Sequence, residues 1–282
     1  MAGLTGSGPT TPASITRPDG RSVRFFDTGG PDDAPVLVWH HGTPQTGAVI
    51  APIAEAAGRR GVRVVSVARP GYPGSDALPG RTVADAAADV IAVLDALGVD
   101  RFVTAGASGG GPHALACAAL APRRVTAVVA LAGIAPFWGS PDWFAGMTDP
   151  GGLQAALAGP AARTAHAATA EFDPDSFTQR DYAELEGVWR ALGQDAGAGA
   201  AEGHQGEIDD DLAYVAPWGV ELGSVTVPTL LVQGGRDRVV PATHAGWMLE
   251  RLPQAELWLR PHEGHVSVLT ALAPALEWAF GQ

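Results

Sequence analysis

Lysine and asparagine are both absent from the 282 residues, so all 18 basic side chains are arginine. Without lysine there is no Walker A loop, no Schiff-base catalysis and no internal anchor for pyridoxal phosphate. Cysteine occurs once, as Cys117, so no intrachain disulfide can form and the redox compartment is left open. Among the alanines that follow residue 113, Cys117 reads as a small buried filler. No apolar run reaches the ~18 residues that a membrane-crossing helix requires. The first residues, Met1 to Ser14, lack a basic region followed by an apolar one, so no signal peptide is expected and a cytoplasmic location is. Basic residues are also outnumbered: 30 acidic residues give a net charge of −12. That balance argues against nucleic acid or an anionic membrane as a partner.

What is present suffices for a large core, since 46% of the residues are hydrophobic. Short apolar runs at Val23–Phe26, Pro35–Trp39, Val62–Ala68, Phe102–Ala105 and Val125–Ala132 alternate with helical patterns. Runs that are apolar at every position suit strands covered on both faces, so the alternation predicts a parallel sheet with right-handed crossovers. The clearest helix begins at Thr82, an N-cap residue, and repeats apolar positions through Val83, Ala87, Val90, Leu94 and Leu97 until Gly98. After Pro136 the strands stop. Helices are expected over Gly151–Ala170, Ser176–Leu192 and Ile208–Val215, with Ala196–Gly203 as a low-complexity loop. Strands resume at Thr229–Gln233 and Ala255–Leu259, and the last helical stretch, from His265, is expected to break near Pro274.

The Phe102–Ala105 run leads into Gly106-Ala-Ser108-Gly-Gly110, and an alanine-rich stretch, His113–Ala121, follows with no breaker until Pro122. Strand, sharp turn and helix with a serine at the tip form a nucleophile elbow. Glycines two residues either side let strand and helix pass closely, and the helix start points free N–H groups at the serine. On these residues the chain resembles the α/β-hydrolase superfamily, in its serine-nucleophile, cap-bearing, esterase-like branch. The resemblance implies a mostly parallel central sheet flanked by helices. It divides the chain into a flexible tail (1–18), a core (19–135 and 223–282) and a helical cap (136–222).

The order implied by the resemblance is nucleophile, acid, histidine. Asp237 follows the Thr229–Gln233 strand and His265 follows the Ala255–Leu259 strand, both at the edge where open α/β sheets place their sites. His265 is then the base that takes the Ser108 proton, and Asp237 orients the imidazole. The oxyanion donors are expected to be the backbone N–H of Gly109 and that of Thr43, in His41-Gly42-Thr43-Pro44. His41 is expected to brace that loop and is grouped with the candidate pocket residues. The others are Phe137, Trp138, Trp143, Phe144 and Trp218, which suit an apolar pocket and the cap's own small core equally. His113 suits the site's lining and a satisfied core position alike. His262-Glu-Gly-His265 lacks the i,i+4 pair of a zinc protease, so no metal is expected, and no cofactor.

The implied activity is cleavage of a carboxylic ester or lactone through an acyl-enzyme, on a neutral, moderately hydrophobic small molecule entering between cap and core. Carbon–carbon bond hydrolysis, perhydrolysis, thioester cleavage and acyl transfer use the same triad and stay open. So does a non-catalytic ligand-binding protein on the same scaffold.

Overall fold

In the computed structural model, which describes residue 10 and residues 12–282, eight strands form a single sheet. In chain order these are β1 (Pro12–Thr16), β2 (Ser22–Asp27), β3 (Val36–His40), β4 (Arg63–Val67), β5 (Phe102–Ala107), β6 (Val125–Leu131), β7 (Thr229–Gly234) and β8 (Ala255–Arg260). They lie side by side as β1-β2-β4-β3-β5-β6-β7-β8. The first two pairings are antiparallel and all the others parallel.

The inner parallel strands are largely apolar because both sheet faces are covered there, whereas edge strand β8, with Glu256 and Arg260, is partly exposed. Side chains alternate across a strand, and in β3 Val36 and Val38 join the core on one face while Leu37 and Trp39 join the core on the other. Helices α2 (Val83–Ala96), α3 (Gly110–Leu120) and α9 (Ala242–Leu249) pack on the first face. Helices α1 (Ala51–Gly58) and α10 (Leu272–Phe280) pack on the second. Thr82 caps α2 through a reciprocal pair with Asp85, its hydroxyl accepting the Asp85 N–H and the Asp85 carboxylate accepting the Thr82 N–H.

Between β6 and β7 lies an all-helical insertion: α4 (Gly151–Leu157), α5 (Pro160–Ala167), α6 (Gln179–Glu186), α7 (Arg190–Ala201) and α8 (Gln205–Val215). The expected Gly151–Ala170 helix is split at Gly159-Pro160. The Ser176–Leu192 stretch is also split, at Gly187, into α6 and the start of α7. Ala196–Gly203 was expected to be a loop, but it lies mostly within α7. Its small residues serve close approach: a Cβ at Gly199 would press on the backbone of Gln45.

One other expectation changes. Pro12–Thr16, placed in the flexible tail, is edge strand β1, held by five-residue pairing with β2; residues 1–9 and 11 lie outside the described residues. The last helical stretch is interrupted near Pro274 as expected: a 3₁₀ turn over Ser267–Ala271 gives way to α10, and Pro274 sits in the first turn of α10, where no intrahelical N–H bond is lost. Among the described residues no helix is long and apolar enough to cross a membrane.

Candidate active site

Ser108 sits between β5 and α3 with φ of 53°, a left-handed conformation that a non-glycine residue adopts at a cost on the order of 1–3 kcal/mol. The surroundings hold it there. Its N–H donates to the Leu131 carbonyl at 2.9 Å, and its carbonyl accepts from the Gly111 N–H at 3.0 Å. A Cβ at Gly106 would collide with the Gly110 carbonyl, and one at Gly110 with the His40 carbonyl, so side chains at either position are excluded by backbone. Gly109 is equally confined, by the Tyr214 hydroxyl and the Thr43 hydroxyl.

Asp237 follows β7. Its Oδ1 accepts the N–H groups of Val239 (2.9 Å) and Val240 (2.8 Å). Its Oδ2 accepts from Gln233 Nε2 (3.2 Å) and from His265 Nδ1 (2.8 Å). His265, past β8, is largely buried with 11% of its side chain exposed. Burial disfavours its charged form. The charge and hydrogen bond of Asp237 outweigh that, with a further contribution from Asp181, and the imidazole is raised above its ordinary 6.5.

Ser108 and His265 line one cavity of about 720 Å³, together with Gly42, Thr43 and Gly109. The N–H groups of Thr43 and Gly109 have no hydrogen-bond partner among the described residues. β3, which leads to Thr43, pairs directly with β5, which leads to Ser108. The insertion supplies apolar wall residues, among them Leu153, Phe172, Phe177, Leu185 and Leu192. It also supplies a charged group in which Arg163 donates to Asp211 (2.6 Å) and Glu207 (2.7 Å). Burial raises the Asp211 carboxyl to about 7 even with Arg163 opposing the shift.

None of the six residues grouped as pocket candidates borders this cavity. His41 is fully buried behind the loop, its Nδ1–H donating to the Gly42 carbonyl and its Nε2 accepting the Arg69 N–H. Burial, with Arg69 nearby, holds this imidazole neutral. Phe137, Trp138, Trp143 and Phe144 pack on one another, with Trp138 stacked on Trp247 of α9. Trp143 has no exposed surface and donates to the Ala135 carbonyl at 3.1 Å. These rings fasten residues 137–144 to the core, because that is where a large apolar surface lay open to them. Trp218 is buried in the core cluster that includes α2 and α3. His113 is buried behind the elbow, its Nδ1 bonded to the Gly109 carbonyl, and Cys117 is a free, buried thiol. Among the described residues no cluster of His, Cys, Asp or Glu suited to a metal ion occurs.

Several residues that matter here were not singled out from the sequence. Asp210 of α8, fully buried, accepts from Arg69, Arg81, Tyr72 and the Thr43 hydroxyl. Asp195 of α7 bonds to Gln45 and Thr46, and Gln45 Oε1 in turn accepts the Gly42 N–H. Asp181 of α6 reaches the backbone beside His265. The available signal was weak. Asp209-Asp210-Asp211 reads as a solvated helix face, and Thr178-x-x-Asp181 as an ordinary cap.

The sequence pattern of the alpha/beta hydrolase fold family matches residues 35–272. The chain belongs to that family. This α/β hydrolase is 30% identical over 265 residues to the dihydrolipoyllysine-residue acetyltransferase component of the acetoin cleaving system of Pseudomonas putida. The match covers 89% of the chain but 64% of that protein, somewhat less than two thirds of its length. It is 29% identical over 248 residues to a 2-hydroxy-6-oxononadienedioate/2-hydroxy-6-oxononatrienedioate hydrolase of Burkholderia vietnamiensis, covering 86% and 84% of the two chains. Among solved structures, a bromoperoxidase from Bacillus anthracis superposes with a TM-score of 0.74 at 21% identity, over 96% of this chain and 100% of that one. At that identity the likeness is one of fold.

Proposed function

We propose that the protein is a cofactor-independent serine hydrolase that cleaves a neutral carboxylic ester or lactone through an acyl-enzyme. The observation that carries this reading is the His265–Asp237 bond of 2.8 Å at the wall of the cavity that the left-handed Ser108 also lines. In this reading His265 Nε2 takes the Ser108 proton as the hydroxyl attacks the acyl carbon, then returns it to the departing alcohol. Asp237 keeps Nδ1 protonated and stabilises the imidazolium. The unpartnered N–H groups of Thr43 and Gly109 receive the oxyanion, each contributing about 3–4 kcal/mol to the transition state. The helical insertion acts as a cap, and water held under it attacks the acyl-enzyme in the second half-reaction.

The charge of the wall supports the substrate class. Among the lining residues four carboxylates (Asp149, Glu171, Asp173 and Glu207), with Asp211, whose carboxyl burial raises to about 7, accompany one arginine, Arg163, already paired with Glu207 and Asp211. Such a wall disfavours a dianionic substrate of the kind named for the Burkholderia vietnamiensis relative and suits an uncharged one.

Labelling with a fluorophosphonate tests the nucleophile. Stoichiometric labelling is expected, and Ser108→Ala should abolish it while remaining folded. An unlabelled, folded wild type favours a ligand-binding protein on this scaffold. The pH dependence has a definite sign. His265 must be neutral to accept a proton and its folded value lies above 6.5, so kcat/KM on a p-nitrophenyl ester should fall as pH drops through a midpoint above 6.5. An acid limb well below 6.5 would mean that another group is the base.

A further inference from the structure

We infer that Asp181, on the helical insertion, is a positioning residue for His265: α6 reaches across to the histidine loop and fixes both its backbone and its local field. This rests on His265 being the base of the proposed reaction.

The Asp181 side chain has no exposed surface. Its Oδ1 accepts the N–H of Val266 at 2.8 Å and that of Ser267 at 2.7 Å, across 85 and 86 residues of chain. Its Oδ2 accepts the N–H and the hydroxyl of Thr178, at 2.8 and 2.7 Å. Each oxygen therefore holds two donors, and the carboxylate has one orientation. On the other side of His265, a Cβ at Gly264 would collide with the same carboxylate. The residue before the histidine is thus glycine because Asp181 approaches so closely, and the residue after it is held by hydrogen bond. The imidazole has little freedom left between them.

A neutral serine or threonine in the loop itself would satisfy two N–H groups at the start of a helical turn. Here a charged group comes from another part of the chain. Burial raises the Asp181 carboxyl, but the Ser267 and Thr178 donors outweigh it and hold the group below its ordinary value, so it is ionised at neutral pH. Its negative charge adds to that of Asp237 in favouring the imidazolium. The other charged groups near the loop largely cancel: Glu263, two residues before His265, is paired with Arg180 of α6 at 2.8 and 2.9 Å. That second link is weaker, because Arg180 is 60% exposed. Phe177, also from the insertion, stacks on the imidazole with centroids 6.5 Å apart and adds no charge.

The test follows the fluorophosphonate labelling rate of Ser108 against pH in wild type, Asp181→Asn and Asp181→Ala, with folding checked by circular dichroism and melting. The amide of Asp181→Asn keeps an oxygen for the two loop N–H groups and removes the charge, giving up only the Thr178 N–H bond on the far side of the carboxylate. Its acid limb is expected to move to lower pH with little loss at the plateau. Asp181→Ala frees the loop as well, and the plateau rate should fall roughly tenfold to a hundredfold, as misplacement of a reacting group does. A purely structural role would lower the melting temperature and leave the limb of Asp181→Asn where it is in wild type. That outcome overturns the inference, and the isosteric variant decides it even if Asp181→Ala fails to fold. Absence of labelling in the wild type overturns the hydrolase reading itself and this inference with it. Labelled wild type with an unmoved limb removes the inference alone.

Discussion

Asp237→Asn is expected to leave the protein folded and to slow turnover by about 10⁴-fold. The two oxygens of Asp237 have different duties. Oδ1 accepts two backbone N–H groups, from Val239 and Val240, while Oδ2 faces the Gln233 amide and His265 Nδ1. An asparagine has one oxygen, and two N–H groups claim it at the Oδ1 position. The amide nitrogen then faces His265, forces Nδ1 to accept, and puts the ring proton on Nε2, the atom proposed to receive the serine proton. The fold loses only the Gln233 contact, about 1 kcal/mol. Turnover on a p-nitrophenyl ester, measured beside thermal melting, checks both halves. Near-normal turnover in a folded variant would mean that Asp237 is not the orienting acid.

The largest effect on stability is expected at Asp210. Asp210→Ala leaves Arg69 and Arg81 facing each other without their shared counter-ion, and their side chains are 2% and 0% exposed. Breaking a buried ion pair by removing one partner costs about 3–5 kcal/mol, because the surviving charge stays buried. Burial raises the Asp210 carboxyl, but the two arginines dominate and hold it well below its ordinary value of 3.8. A depressed folded value means that its stabilising contribution is fully present above the unfolded value and is lost only as pH falls through the lower, folded one. The difference between variant and wild type in urea unfolding should therefore be constant from neutral to mildly acidic pH. Turnover should fall too, because Asp210 also seats the Thr43 hydroxyl beside a proposed oxyanion donor. A variant as stable as wild type would show that the arginines find other partners.

The fold was legible wherever a local rule and the tertiary outcome agree. β3 and β5 are apolar at nearly every position because helices cover both faces, and their polar exceptions, His40 and Thr104, bond to each other. The elbow glycines stand out because close backbone approach leaves no room for side chains at 106 and 110. Asp237 and His265 could be picked out because each follows a strand of the same parallel sheet, and parallel strands deliver their loops to one edge. The pocket was not legible. Phe137, Trp138, Trp143 and Phe144 are the aromatics a sequence offers for an apolar site, yet they pack on α9, and the cavity wall is made by residues such as Leu153, Leu185 and Leu192. Helical periodicity states that a residue faces something apolar, without saying what. Ala196–Gly203 misled for a related reason: low complexity resembles a loop, and only the backbone of Gln45 against Gly199 explains why a helix there needs small residues.

Sequence alone thus determined the sheet apart from its edge strand β1, the elbow and the three groups proposed for the chemistry, since each depends on short-range patterns of polarity and glycine. Only the tertiary structure decided what holds them: Asp181 beside the histidine and Asp210 beside Thr43, both from the inserted helices. A buried carboxylate looks in sequence like any surface acid, and its worth comes entirely from donors brought to it by distant parts of the chain.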